Sequence, residues 1–399
     1  MYKHGYNVKI KNIMGVEVSI HPPHQEVRVP EFNEIGRVNK LLYLFGKVTA
    51  RTRTSLSGER REKKSERPLS LRTTRAKLYH EVMLTPDKNS RREIFAEAHV
   101  RDGIATQYLN QGEVTVTLPG LGEQTARYTR IEAPESRKTP ETSTKPPIFL
   151  IPGISNDIDC VGALAQELPY SGRSVVVVGF PDSFMGSVTK EFAQAVEASP
   201  DYTPHTEFFK HALDALIRED TPVELWGFST GSPIVEQILN DPKFQEKVTN
   251  AVLISPASVV DQTSKQLTLG TIKEIGKLLK RLSALGKYTY TSGREDTVPP
   301  EPEGQRAIKK EVFGSLLTRV RTNLPLWEQA RVKEGGNIIV VSGKKDEMTK
   351  SYLAEDAFTQ NPQIHVLHLS EGSHATPLTE PEEVLRKIFD LQRNAAIPK

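Results

Sequence analysis

A serine between two glycines, in the sequence GFSTG at residues 227–231, is the feature of this chain with the clearest capacity for chemistry. The apolar run VELW precedes it and the helical pattern PIVEQIL follows it, which predicts a strand, a sharp turn and a helix. Such a turn lifts the Ser229 hydroxyl clear of the backbone, while Gly227 and Gly231 carry no side chain that would clash there. The following helix directs backbone N–H groups at any group bonded to the serine. We therefore predict that Ser229 is a nucleophile.

A serine nucleophile needs a base that takes its proton and an acid that orients the base. NIIVV at residues 337–341 predicts a buried strand, and the loop that follows contains Asp346. QIHVLHL at residues 363–369 predicts another strand, and the loop after it contains His374. Both residues are then placed past the C-terminal end of a strand, where ligands bind in open α/β sheets. The chain order Ser229, Asp346, His374 predicts nucleophile, acid and base.

Other residues compete for the roles of base and acid. His365 and His368 lie within the strand pattern, whereas the preferred histidine lies in a Gly-Ser-His loop that can reach outward. Glu347 is adjacent to the preferred acid and could replace it, and Asp261 follows an earlier strand. The alternatives to catalysis are an ordinary serine in a glycine-rich turn and an acid in a surface loop.

Four local motifs, spread over residues 110–395, resemble those of the serine hydrolases of the α/β-hydrolase superfamily. PIFLIPG at 147–153 resembles the strand and oxyanion loop, GFSTG the nucleophile elbow, and GKKD at 343–346 the acid turn. GSH at 372–374, followed by PEEV at 381–384, resembles the histidine loop and final helix. The resemblance implies an α/β-hydrolase fold with a mostly parallel central sheet, flanking helices and a helical cap insertion. It also implies an oxyanion hole built from the backbone N–H groups of Thr230 and Ile154.

Strand and helix patterns alternate in the part of the chain that must position these residues, which predicts a parallel sheet with right-handed crossovers. Strands are predicted at 148–151, 174–178, 223–226 and 251–255, and helices at 160–168, 207–218 and 232–239. Upstream, two strand patterns around the turn-rich PGLG predict a β-hairpin at 113–131, and further strands are predicted at 79–84 and 94–100. We predict a core formed by residues 78–258 and 336–399.

Residues 259–335 interrupt the alternation and are predicted to form a helical cap. Two apolar stripes at helical spacing mark it. The stripes are Ile272, Ile275, Leu278, Leu279, Leu282 and Leu285, and then Ile308, Val312, Phe313, Leu316, Leu317 and Val320. A basic amphipathic helix can also lie on a membrane surface. We favour a cap that buries its apolar side over the active site, because the insertion point matches that of capped members of the family that the chain resembles.

Residues 1–77 hold an excess of basic residues, concentrated at 51–77, and are predicted to be a partly disordered extension. The strand-like VEVSI at 16–20 is expected to add an edge hairpin or to dock on the core. The 51–77 segment could contact nucleic acid or an anionic surface. A solvated tether is favoured, because the segment has no interleaved aromatic residues and no folded binding motif.

The composition limits the kinds of protein that this chain can be. The chain has 399 residues, 37% of them hydrophobic and 26% charged, with a net charge of +3. The single cysteine, Cys160, excludes an internal disulfide and is expected to be a helix-packing residue. No apolar run approaches the length of a membrane span, so no stable membrane insertion is expected. The N-terminus has no apolar signal core, and a cytoplasmic protein is expected.

The residue patterns indicate neither a metal nor a cofactor. There is no metal-ligand spacing such as H-E-x-x-H, no Walker A sequence, and no G-x-G-x-x-G after a strand. The expected activity is hydrolysis of a small-molecule carboxylic ester through an acyl-serine intermediate, as in carboxylesterases and lysophospholipase-like lipases. Thioesterase, amidase or peptidase, carbon–carbon hydrolase, perhydrolase and acyltransferase activities use the same three residues. An alternative of another class is a non-catalytic hydrolase fold whose basic N-terminal segment contacts an anionic partner.

Overall fold

The computed structural model describes residues 8–11, 17–21, 111–133, 145–155, 161–183, 186–285, 304–324, 327–379 and 381–395. Several predictions from the sequence lie outside the described residues. They concern the strands at 79–84 and 94–100, the packing of Cys160, and the basic segment at 51–77.

Among the residues that the structure describes, ten strands form one sheet. They are β1 Val8–Lys11, β2 Glu17–His21, β3 Gln111–Leu118, β4 Gly122–Ile131, β5 Ile148–Ile151, β6 Val175–Val178, β7 Val223–Phe228, β8 Val248–Ile254, β9 Ile338–Gly343 and β10 Ile364–Leu369. Their order is β1-β2-β3-β4-β6-β5-β7-β8-β9-β10. Strands β5 to β10 are parallel, whereas β1 to β4 are antiparallel to their neighbours. The predicted mostly parallel sheet is confirmed.

The helices lie in the connections between the strands or follow the last strand. They are α1 Gly162–Glu167, α2 Lys190–Ala198, α3 Thr203–Leu216, α4 Gly231–Leu239, α5 Pro242–Gln245, α6 Ser264–Leu285, α7 Gln305–Val320, α8 Glu355–Thr359, α9 Thr376–Thr379 and α10 Pro381–Ala395. Within the described ranges, no helix combines the length and the apolar character needed to cross a bilayer.

The sheet separates two hydrophobic cores. Phe149 and Ile151 of β5 face a core that includes residues of α2, α3, α4 and α7, whereas Ile148 and Leu150 face a core with residues of α1 and α10. Successive side chains of a strand point to opposite faces, so a strand covered on both faces is apolar throughout. This explains the continuous apolar runs that precede the predicted site loops.

The antiparallel edge begins with the predicted hairpin. Strands β3 and β4 pair from Gln111 opposite Thr129 to Leu118 opposite Gly122. The N–H of Leu121 donates to the Leu118 carbonyl across the turn, at 3.0 Å. Strands β1 and β2 pair antiparallel and extend the sheet beyond β3, so most of the predicted strand-like segment at 16–20 lies in β2.

The two helices α6 and α7 lie in the insertion between β8 and β9. The apolar stripe on α7 packs against the core, with Val312 and Leu316 fully buried. The prediction for α6 is wrong at Ile272, which is 57% exposed, while Glu274 is only 5% exposed. The polar side chain is buried because its carboxylate accepts hydrogen bonds from two loops of the core, which fixes the rotation of the helix.

Candidate active site

The turn between β7 and α4 holds Ser229 in a left-handed backbone conformation, with φ of 55°. This region is uncommon for residues other than glycine, so the turn is strained. A Cβ added at Gly227 would lie 2.5 Å from the Gly231 carbonyl oxygen, and one at Gly231 would collide with the carbonyl oxygen of Ile151. The close approach of these backbones accounts for both glycines of the motif.

Hydrogen bonds from neighbouring segments fix this turn. The Ser229 N–H donates to the carbonyl of Ile254 at the end of β8, at 2.8 Å. The Ser229 carbonyl accepts from the N–H groups of Ser232, at 3.0 Å, and Ala257, at 3.2 Å. The strained conformation is therefore maintained by the end of the adjacent strand and by the first turn of α4.

The predicted acid, Asp346, is completely buried in the loop after β9. Its Oδ1 atom accepts the N–H groups of Met348 and Thr349, both at 2.9 Å. Its Oδ2 atom accepts the Thr349 hydroxyl at 2.8 Å and lies 2.9 Å from His374 Nδ1. Burial alone would raise the pKa of Asp346, but the charge and hydrogen bond of His374 and the Thr349 donors hold it below its ordinary value.

The predicted base, His374, is buried in the loop after β10. An ionised Asp346 only accepts hydrogen bonds, so Nδ1 carries a proton and Nε2 is the acceptor in the neutral ring. Burial alone would lower the pKa of His374, but the charge and hydrogen bond of Asp346 and the charge of Glu274 raise it above its ordinary value. The pair thus holds the imidazole in the tautomer that a general base requires.

The structure brings His374 to the residue that precedes Ser229. The imidazole contacts the Phe228 ring, with centroids 5.2 Å apart. Within the described residues, no hydrogen bond joins the Ser229 hydroxyl to the imidazole. Hydrogen bonds between nucleophile and base are often long before substrate binds, so the arrangement is consistent with proton transfer in a complex with substrate.

The competing histidines have other partners. His365 Nε2 lies 2.8 Å from Asn337 Oδ1. His368 Nε2 lies 3.1 Å from a carboxylate oxygen of Glu355 at the start of α8. Both rings are thus engaged with neighbouring elements, and His374 is the histidine that pairs with the buried acid.

The competing acids are also placed elsewhere. The Glu347 side chain pairs with Lys273 of α6 at 3.3 Å. Asp261 Oδ1 accepts the N–H of Asn323 at 2.8 Å, which joins the two ends of the insertion. Of the three candidate acids, Asp346 is the one whose carboxylate contacts the imidazole.

The sequence predicts that two backbone N–H groups bind an oxyanion, those of Thr230 and Ile154. Thr230 is the first residue of the turn into α4, and Ile154 follows β5 in the adjacent loop. Within the described residues, neither the Thr230 N–H nor the Ile154 N–H donates a hydrogen bond. Unpaired N–H groups beside a nucleophile can bind the negative charge that develops on a carbonyl oxygen.

A buried network behind the Ile154 loop was missed by the sequence analysis. The Ser155 hydroxyl donates to Asp182 Oδ2, and Asp182 Oδ1 lies 2.9 Å from His205 Nε2. Ser155 itself has a left-handed backbone, with φ of 47°. The signal in the sequence was an aspartate just after the VVVV strand and a histidine on the apolar face of α3, and neither stands out alone.

Glu274 of α6 is the second feature that the sequence analysis missed. Its two carboxylate oxygens accept the N–H groups of Glu347 and His374, each at 3.0 Å. The sequence pattern drew attention to the apolar residues of this helix, and nothing in it distinguished this glutamate from other polar residues. In the described part of the chain, no group of three or more His, Cys, Asp or Glu residues could hold a metal ion.

Several solved structures are similar to this chain. A membrane phospholipase A described as a bacterial virulence factor is 16% identical, covers 77% of this chain and 93% of its own, and has a TM-score of 0.49. A thermophilic esterase from Thermogutta terrifontis is 15% identical, covers 71% of this chain and 99% of its own, and has a TM-score of 0.45. A carboxylesterase structure from Nitrososphaera gargenis is 14% identical, with coverage of 70% and 98% and a TM-score of 0.45. No protein-family model and no curated protein matches the chain.

The fold itself follows from features of this chain alone. Six parallel strands carry helical crossovers, and a strained serine turn lies at the C-terminal end of the central strand β7. Asp346 lies in the loop after β9 and His374 in the loop after β10. The order serine, acid, histidine along the chain is the order found in α/β-hydrolase folds. The chain has the α/β-hydrolase fold.

Proposed function

We propose that this protein is a serine hydrolase that cleaves a carboxylic ester through an acyl-serine intermediate. The observation that carries the proposal is the buried pair of Asp346 and His374, at 2.9 Å, beside the strained turn of Ser229. A nucleophile on a strained turn, a base in a defined tautomer and a buried orienting acid are the parts that acyl transfer requires.

In the proposed reaction, His374 Nε2 takes the Ser229 proton while Oγ attacks the acyl carbonyl carbon. The N–H groups of Thr230 and Ile154 bind the oxyanion of the tetrahedral intermediate. When the intermediate collapses, His374 gives its proton to the leaving alcohol and the acyl group stays on Oγ. His374 then removes a proton from water as the water oxygen attacks the acyl carbon. The second tetrahedral intermediate collapses with cleavage of the bond between Oγ and the acyl carbon, His374 returns its proton to Ser229 Oγ, and the acid product leaves.

The substrate class in this proposal is a small-molecule acyl ester. We infer that the insertion between β8 and β9, with α6 and α7, serves as the cap over the site and supplies part of the acyl-binding surface. The core in this division of the chain is residues 78–258 and 336–399.

Fluorophosphonate labelling tests the nucleophile directly, because the probe reacts with an activated serine hydroxyl. We expect the intact protein to be labelled and Ser229→Ala to be unlabelled. Ser255→Ala is the matched control, since Ser255 is also a buried serine with a positive φ at the end of a neighbouring strand. Ser255→Ala is expected to be labelled like the intact protein. Labelling that persists in Ser229→Ala would refute the assignment of the nucleophile.

A substrate panel tests the reaction class. Esters, thioesters and amides of one acyl chain, together with alcohols as competing acyl acceptors, are compared by kcat/KM. We expect esters to be cleaved fastest. A preference for thioesters or amides, or transfer to the alcohol in place of water, would retain Ser229 as nucleophile but contradict the assigned substrate class.

A further inference from the structure

Helix α6 contributes a buried carboxylate to two loops of the candidate site. Glu274 Oε1 accepts the N–H of Glu347, and Oε2 accepts the N–H of His374, each at 3.0 Å. Glu347 directly follows the acid, and His374 is the base. One side chain from the insertion therefore joins the backbones at both ends of the Asp346–His374 hydrogen bond.

Helix α6 packs closely against the acid loop one turn before Glu274. This packing brings the Glu274 carboxylate within hydrogen-bonding distance of the loop. Gly270 lies against the Glu347 backbone so closely that an added Cβ would collide with the Glu347 carbonyl oxygen. Residues four apart lie on the same face of a helix, so Gly270 and Glu274 face the acid loop together. The helix is thus positioned by a glycine contact and a hydrogen bond to the acid loop, and by a second hydrogen bond to the histidine loop.

The two loops also contact each other directly. The Lys345 N–H donates to the Gly372 carbonyl at 2.8 Å, and the Lys344 N–H donates to the Leu369 carbonyl at 3.0 Å. These bonds hold the loops together on the side of the strands β9 and β10. Glu274 holds them on the side of the insertion, where the acid and the base meet.

The charge of Glu274 acts on the imidazole as well as on the backbone. The charged groups that act on the His374 ring are Asp346, from the acid loop, and Glu274, from α6. A carboxylate close to an imidazole favours the imidazolium over the neutral ring. In a buried site this attraction is screened less than it would be at the surface.

We propose that Glu274 is a positioning residue that holds the acid and histidine loops in register and stabilises the His374 imidazolium. It touches no reacting atom and acts through His374. The proposal rests on the proposed function only for its effect on turnover, because the geometry and charge of His374 can be measured without a substrate.

Glu274→Gln is the variant that tests both effects. Glutamine has the same size but carries no charge, and one of its polar atoms is an NH₂ group that would face a backbone N–H donor. We expect the apparent pKa of His374, followed by NMR through its ring protons, to fall, because the variant lacks the negative charge that favours the imidazolium. We also expect the pH-independent kcat/KM for an ester to fall by about tenfold.

Two further variants separate position from charge. Glu274→Asp keeps the charge but shortens the side chain by one methylene, so the His374 pKa should stay near that of the intact protein while kcat/KM falls. Lys273→Gln is the matched control, because it changes an exposed charge on the same turn of α6. It should leave both quantities unchanged. A Glu274→Gln protein that is folded and has an unchanged His374 pKa would overturn the proposal.

Amide hydrogen exchange of the unsubstituted protein gives a test that needs no variant. We expect the Glu347 and His374 amides to be protected, since both donate to a buried acceptor. Exchange of both amides at the rate of free loop amides would also overturn the proposal. If the intact protein does not react with a fluorophosphonate, the proposed hydrolase activity fails, while the NMR titration and the exchange experiment still decide the role of Glu274.

Discussion

The Phe228 ring lies against the His374 imidazole, with centroids 5.2 Å apart and ring planes inclined by 39°. Phe228 is the last residue of β7 and directly precedes Ser229. The strand that leads to the proposed nucleophile therefore also contacts the ring of the proposed base. Asp346 fixes the Nδ1 edge of the imidazole, and Phe228 limits how the ring can tilt about that hydrogen bond.

Phe228→Leu should impair catalysis more than it impairs stability. Leucine retains most of the apolar volume of the buried site but does not support the imidazole face. We expect kcat/KM for an ester to fall by about tenfold and the free energy of unfolding to fall by about 1 to 2 kcal/mol. Ester kinetics and urea denaturation measure the two effects.

Phe389→Leu is the control for this substitution, because Phe389 makes a comparable aromatic contact with Trp226 at 6.3 Å on the opposite side of the sheet from α3. A similar loss of stability with full activity is expected. If the two variants lost activity equally, the contact of Phe228 with His374 would have no specific role.

The pH dependence of kcat/KM should report the raised pKa of His374. The free enzyme is active when this ring is neutral, so activity should rise with pH through an apparent pKa above the ordinary value of about 6.5. Asp346 stays ionised across this range because its pKa is lowered. Rates measured from pH 5 to 9 on a neutral ester test the expectation, and an apparent pKa below 6 would contradict the raised value.

Asp346→Asn should leave the fold intact and reduce kcat by about 10³- to 10⁴-fold, because the imidazole would no longer be held in the required tautomer. Glu347→Gln changes the adjacent acid, whose side chain points to Lys273, and should cost far less. Equal losses in the two variants, measured by ester hydrolysis, would mean that the acid has been assigned to the wrong residue.

Glu236 of α4 should make stability depend on pH. Burial raises the pKa of Glu236 to about 8, and the negative charge of Asp201 adds to the rise. The hydrogen bond from Asn240 acts in the opposite direction and lowers the pKa. Its folded-state pKa exceeds the unfolded value of 4.5, so its contribution is fully present below pH 4.5 and is lost as pH rises through about 8. Glu236→Gln should therefore raise the free energy of unfolding at pH 9 by about 2 to 4 kcal/mol.

Urea denaturation at pH 5 and pH 9 measures this effect. At pH 5 the variant and the unsubstituted protein should differ little, because the buried carboxyl is then protonated in the folded state. Equal stabilities at pH 9 would show that the Glu236 carboxylate is accommodated without cost.

Asp182→Asn should loosen the loop that carries Ile154. The substitution replaces one of the two carboxylate oxygens that face the partly buried Ser155 hydroxyl and the fully buried His205 ring. We expect a loss of about 2 to 3 kcal/mol in the free energy of unfolding. We also expect kcat to fall with little change in KM, because the proposed oxyanion donors act mainly in the transition state. Denaturation curves measure the effect on stability, and steady-state kinetics of the same sample measure the effect on catalysis. An unchanged kcat would show that Asp182 does not influence the loop of Ile154.

The sequence predicted those parts of the site that are encoded locally. Ser229, Asp346 and His374 each follow a strand pattern, and a loop after a strand can be recognised from its own residues. Glu274 could not be found in this way, because its burial depends on the contact of Gly270 with a loop distant in the chain. The exposure of Ile272 has the same origin, since tertiary contacts rather than the apolar stripe set the rotation of α6.

The attachment of Glu274 also limits how substrate specificity can be changed in this fold. Exchanging the insertion between β8 and β9 for one from another protein is an obvious way to alter the acyl-binding surface. In this chain such a graft would remove the carboxylate that receives the Glu347 and His374 amides. A transplanted segment would need a glycine followed, one helical turn later, by a glutamate, so the proposed cap and the loops of Asp346 and His374 could not be exchanged independently.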